Sequence, residues 1–174
     1  AIDAAAKQWR RRLRCEYRAP SSIEAHELGD LLSHAFPDRI AAVHPADLQR
    51  YLLANGRSAR LLDASELRGE PWIVISELRA DTRDGLVLRA APVDENHLRR
   101  HFASDFFSED VVRWNAEKRA LEARRESRFA RIVIDSRPAG KVDQAQAAQA
   151  LTAAIMDLGI AALPWSDALR QWQA

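Results

Sequence analysis

Apolar positions change rhythm along this chain, from every third or fourth residue to every second, and then back. Ile2, Ala5, Ala6, Trp9 and Leu13 recur at helical spacing, with Lys7, Arg10, Arg11, Arg12 and Arg14 on the opposite side. Pro20 interrupts this pattern. Ser21 and Glu24 stand at capping-box spacing and open a second helix, whose inner stripe would be Leu28, Leu31, Leu32 and Ala35. Pro37 lacks an amide donor and disfavours helix in the residue before it, so this helix should stop soon after Phe36.

Period two then takes over. Asn55-Gly56 is a hairpin signal because both residues tolerate positive φ; strands should flank it near 49–54 and 57–62. The almost continuous apolar run 72–78 predicts a strand buried on both faces. Asp84-Gly85 marks a turn into another strand at 86–91. Asp94 should cap a short helix, with Val93 and Leu98 as its hydrophobic staple. Strands follow at about 110–115, 120–127 and 130–135, the first two joined by a turn at Glu117-Lys118. From Asp143, capped against Gln146, the chain is helical again; Ala147, Leu151, Ile155 and Leu158 form the stripe and Gly159 the stop. Pro164 and Ser166 begin a last helix.

This order predicts an α+β fold: a small OB-like antiparallel barrel flanked by N-terminal and C-terminal helices. A helix between the fourth and fifth strands would plug one end. The segments would be helical over 1–46, β over 47–138 with an inserted helix at 94–103, and helical over 139–174.

Composition narrows the function classes. With 47% apolar residues in 174, a sizeable core is possible. The net charge of +1 removes the global basic field of strong nucleic-acid binders, so any such contact must be local. Cys15 is the one cysteine, which rules out a disulfide within the chain and fits a reducing cytoplasm. No apolar run approaches the roughly 20 residues of a membrane span, and no membrane partner is expected. The chain opens at Ala1 directly into a helical pattern, which reads as a piece of a longer protein, or as loss of an initiator Met.

No catalytic set is visible. None of the 6 glycines forms a phosphate loop followed by Lys-Ser/Thr, and no Gly-x-Ser-x-Gly elbow occurs. His97 and His101 have i,i+4 spacing that can ligate zinc, but no Glu follows His97 and no third ligand stands out. A structural or solvent-exposed role is the expectation, with no metal and no cofactor in this chain. Glu109 and Asp110 are adjacent and should point apart on an extended chain.

The basic residues divide by pattern. The face of Lys7 and Arg10 to Arg14 could meet phosphates, but reads better as a solvated or docked helix face. Glu122, Arg124, Glu126 and Arg128 alternate in sign on one strand face, a self-compensated ladder. Arg125 faces the other way, beside Leu121, Ala123 and Phe129, as an internal anchor. Lys118 and Arg119 remain free at the turn. Arg57 and Arg60, beside the Asn55-Gly56 turn, could meet single-stranded nucleic acid. Tyr51 and Trp72, the nearby aromatics, read as core.

Several blocks occur in a fixed order: AFPDRIA at 35–41, RYLLANGRSARL at 50–61, GEPWIVISEL at 69–78 and LVLRAAPVDENHL at 86–98. VVRWNAEKRALEARRESRFARIVIDSRP at 111–138 and GIAALPWSDALRQW at 159–172 complete the set. The series resembles the C-terminal region of bacterial HrpB-type DEAH-box helicases, from about Leu28 to the end. The resemblance implies part of an ATP-dependent RNA helicase. Segment 1–46 would end a helical-bundle domain, and 139–174 would start a C-terminal extension. It also implies ATP and Mg for the whole helicase but no ATPase chemistry in this chain. Its implied partners are single-stranded RNA and the motor domains of the same polypeptide. Arg39, Arg57, Arg60, Lys118 and Arg119 are then the candidates for RNA contact or docking. A purely structural or protein-docking role is the alternative.

Overall fold

The computed structural model describes residues 2–15, 22–79, 84–115, 117–118, 120–140 and 143–159. A first helix, α1 (Ile2–Leu13), carries the basic face. The second, α2 (Ala25–Ala35), has Glu24 as its N-cap without a side-chain capping bond; Ser21 lies outside the described residues. Phe36 caps its C-terminus, and Pro37–Arg39 forms a single 3-10 turn, as the proline requires.

Five strands follow: β1 (Ile40–His44), β2 (Asp47–Leu53), β3 (Ser58–Arg60), β4 (Trp72–Arg79) and β5 (Gly85–Pro92). They close into a barrel in the order β1-β2-β3-β5-β4. Its pairs are antiparallel except β3 with β5, which is parallel, so the barrel is mixed rather than antiparallel throughout. The small OB-like barrel is therefore present, with helices at both ends.

Three expectations change. β1 falls inside the segment read as helical over 1–46; IAAVH is too short and Ala-rich to announce a strand. With β1 counted, the helix α3 (Glu95–His101) follows all five barrel strands and lies outside them. The remaining strands, β6 (Phe106–Asn115), β7 (Ala120–Phe129) and β8 (Ile132–Pro138), form a separate three-stranded sheet. Finally α4 (Gln144–Leu158) packs against β6 and β7. The caps are as read: Asp94 accepts from the Asn96 amide and Asp143 from the Gln146 amide. Gly159 has φ +80 at the C-terminus of α4. The helix expected after Pro164 lies outside the described residues.

Two apolar clusters organise the barrel. Inside it lie Ala41, Tyr51, Leu53, Ala59, Leu61, Ile73, Ile75 and Val87. On the outer face of β1 and β4, Ile40, Trp72 and Val74 pack with Leu98 of α3 and with Phe129 and Ile132. Successive strand residues point to opposite faces, so β4 feeds both clusters and needs apolar residues throughout.

The helices bury different faces from those expected. Leu31 is 64% exposed and Leu28 is 42%, while Gly29 and Ser33 are buried. The reason is close approach: a Cβ on Gly29 would lie 1.8 Å from the Pro92 carbonyl oxygen. The small face of α2 is thus the docking face. Likewise α4 buries Ala154, with Leu151 and Leu158 exposed.

Candidate nucleic-acid interface

Three turns meet at one end of the barrel. The β2–β3 hairpin turns through Asn55 and Gly56, with Gly56 at φ +87. Its Ala54 and Asn55 amides donate to the carbonyls of Ile40 (2.8 Å) and Asp38 (3.3 Å), which ties it to the 3-10 turn before β1. From the other side, the β7–β8 turn at Ala130-Arg131 approaches. The Arg131 amide donates to the Ala54 carbonyl at 3.3 Å, and a Cβ on Gly56 would stand 3.0 Å from Arg131 Cδ. Arg57 and Arg131 are both exposed here, and neither forms an ion pair with another described residue.

Arg131 was missed as a candidate. Residues 130–135 read as one strand, because Ala and Arg give no turn signal. Ala130 nevertheless adopts φ +48, a conformation that a non-glycine residue holds only when its surroundings enforce it. Here the Ala130 amide donates to the Asp105 carbonyl at 2.8 Å.

The other candidates are engaged within the chain. Arg39 is half-buried, donates from Nη1 to the Ser76 carbonyl at 3.1 Å, and lies over the Phe36 ring. Arg60 donates to Asp47 and to the Gln49 side chain, both at 2.9 Å. The Gln49 amide, with Arg60 assisting, holds the Asp47 carboxyl below the usual range. Lys118 bonds Glu122 at 2.7 Å at the tip of the β6–β7 hairpin, and this bond lowers the Glu122 pKa. Arg119 lies outside the described residues. The structure therefore places Arg57 beside Arg131, with Arg39 on the adjoining 3-10 turn, and sets Lys118 on another hairpin.

The remaining chemistry is equally specific. Glu109 faces Arg128 and Asp110 faces Arg125, so the two neighbouring carboxylates do point apart. Arg125 is no internal anchor: its side chain is exposed and forks onto Asp110 at 2.8 and 2.9 Å. Tyr51 and Trp72 are buried, as expected of core residues, and offer bases no stacking platform. His34 joins His97 and His101 in one cluster. Among the described residues, no three His, Cys, Asp or Glu side chains are arranged to hold a metal. No described helix is long and apolar enough to cross a membrane.

A solved structure of the Escherichia coli DExH-box NTPase HrpB superposes on this chain with a TM-score of 0.62 and 27% sequence identity, covering 92% of it. The chain resembles HrpB. A second structure, of the Escherichia coli DEAH/RHA helicase HrpB, gives the same TM-score at 26% identity over 95% of the chain. In both cases the chain spans only 20% of the HrpB polypeptide, as a C-terminal region would. No protein-family model and no curated protein sequence matches the chain.

Proposed function

We propose that this chain is an accessory C-terminal region of an ATP-dependent RNA helicase, which contributes to RNA binding and docks the motor domains. In this reading it works in the cytoplasm and performs no chemistry of its own. ATP and Mg act in the motor domains. The likeness to HrpB supplies the context. The observation that carries RNA contact is the pair Arg57 and Arg131, two exposed guanidinium groups without an ion pair among the described residues, on turns braced by backbone hydrogen bonds.

Such a pair suits the phosphates of a single strand. With a net charge of +1 there is no long-range field to assist, so binding is weak and sensitive to salt. Two neutralised phosphates on a single strand correspond to a log–log salt slope of about −1.4. Fluorescence anisotropy with short single-stranded RNA at low salt tests this. Binding should disappear in Arg57→Ala/Arg131→Ala and survive in Arg125→Ala, whose guanidinium is committed to Asp110. Arg60→Ala should weaken binding less than Arg57→Ala. Failure of the unaltered chain to bind at low salt would remove direct RNA contact.

One observation favours the docking alternative. An open apolar groove between α2 and the barrel is lined by Leu28, Leu32, Leu61, Leu62, Val87 and Leu88. A pull-down with the motor fragment, compared between the unaltered chain and Leu28→Glu/Leu62→Glu, both exposed residues of the groove, tests it. Equal capture of both would discard this groove as the docking face.

A further inference from the structure

The seam between α2 and α3 holds three histidines. His97 and His101 stack with centroids 4.4 Å apart, and His34 meets each of them edge-on at 5.2 Å. Phe102 lies against His34 at 5.4 Å. His97 is 8% exposed, with both ring nitrogens facing α2. Its Nε2 is 3.3 Å from Ser33 Oγ, and Ser33 donates its single proton to the Asp30 carbonyl at 2.6 Å. Ser33 must therefore accept, and His97 Nε2 must carry the hydrogen. That hydrogen-bond assignment leaves Nδ1 bare in the neutral ring, 3.6 Å from Asp30 Oδ2. The other Asp30 oxygen accepts the Asp94 amide at 3.1 Å.

We propose that this cluster is an acid-sensitive clasp: neutral imidazoles hold α2 against α3, and proton uptake by the cluster releases α2 from the barrel. The titratable and charged groups facing His97 are Asp30 and His34 from α2, and His101 and Arg100 from α3. One carboxylate thus faces Arg100 and three imidazole rings in mutual contact, so a proton gained by His97 meets more positive than negative neighbours. The rest of the attachment of α2 is narrow: Leu28 and Leu31 are exposed, and besides Gly29 and Ser33 only Leu32 and Phe36 reach the core, both partly buried.

The sign follows from the surroundings of His97. Burial first, then His101, His34 and Arg100, push its pKa below the ordinary 6.5, with Asp30 opposing. A histidine depressed in the folded state stabilises fully above pH 6.5. Its contribution is lost as pH falls through the folded value. The transition therefore lies on the acid side.

Hydrogen exchange of the full chain at pH 7.5 and 5.5, corrected for intrinsic rates, tests the clasp. Opening of α2 amides should rise by up to about tenfold per pH unit for each proton taken up, while β2 amides stay constant. His34→Gln/His101→Gln leaves His97, Asp30 and Ser33 in place and should blunt the response of α2. Equal responses of α2 and β2, or none in α2, would overturn the proposal. If the double variant does not fold, the ring titration of His97 by NMR in the unaltered chain decides. A midpoint below that of the urea-unfolded chain supports the clasp, and one at or above it rejects it.

Discussion

In β4, four consecutive residues from Trp72 to Ile75 are buried; in β7, only Glu126 and Phe129 of ten are. The barrel lies between its own interior and a covered outer face, so both sides of β4 are apolar. The three-stranded sheet instead fills one face with alternating charge. Glu126 sits there, 2% exposed, between Arg113 and Arg128, and Arg128 also reaches Glu109 at 2.8 Å. The difference teaches where positive charge remains available. Cross-strand neighbours in register consume one another's charge, so the most arginine-rich strand offers little to a polyanion. Arg57 and Arg131 lie outside the paired registers, and neither forms an ion pair with another described residue.

Substitution of Gly29 breaks the barrel side most severely. In an exposed helix, Gly→Ala stabilises by up to ~1 kcal/mol. Here the added Cβ would meet backbone, 1.8 Å from the Pro92 oxygen and 2.7 Å from its carbonyl carbon. No side chain can move aside, so α2 must lift. Gly29→Ala should reverse the expected sign and cost about 3 kcal/mol. Urea unfolding measures it, and a midpoint equal to or above that of the unaltered chain would show that the helix docks less closely than described.

The charged face of the sheet has its counterpart in Glu126→Gln. The amide preserves shape but removes the charge shared by Arg113 and Arg128. Arg128 is 16% exposed and keeps Glu109; Arg113 is 60% exposed and returns to water. A cost of about 2–3 kcal/mol follows, below that of a fully buried broken pair. Adding Arg128→Met should recover part of the loss, since removing both partners spares the stranded charge. A cycle in which the two changes simply add would argue that the carboxylate acts by packing alone.

Much of this contrast is legible in the sequence. The apolar run at β4, the Asn55-Gly56 turn, the Asp94 and Asp143 caps and the alternating signs of β7 are all local patterns. What is hidden depends on contacts between distant segments. β1 is short and becomes a strand only because β2 and β4 flank it. Hydrophobic periodicity chose the leucine face of α2, whereas close approach to Pro92 chose the glycine face. The Ala130-Arg131 turn has no turn-forming residue, so the partner of Arg57 could not be found by pattern. Arg60 and Lys118 are recognisable as surface charges, but their carboxylate partners are fixed only by register and turn geometry. The joining of His34 to the His97–His101 pair is likewise a product of helix docking.

The smallest effect belongs to a polar group inside the barrel. The Tyr51 hydroxyl meets two carbonyls, of Leu67 at 2.7 Å and Glu70 at 2.9 Å, and so ties the segment between β3 and β4 to β2. Tyr51→Phe leaves the ring in place and should cost about 1–1.5 kcal/mol. Burial, reinforced by Glu70, pushes the phenol from 10 up to about 12. A pKa raised by folding means stability present below pH 10 and lost as pH rises towards 12. The gap between the unaltered chain and Tyr51→Phe in urea midpoint should therefore be constant from pH 8 to 9.5 and close above pH 10. A gap that widens instead would mean that the buried hydroxyl ionises more easily than free tyrosine, and the apolar account of the barrel interior would fail at Tyr51.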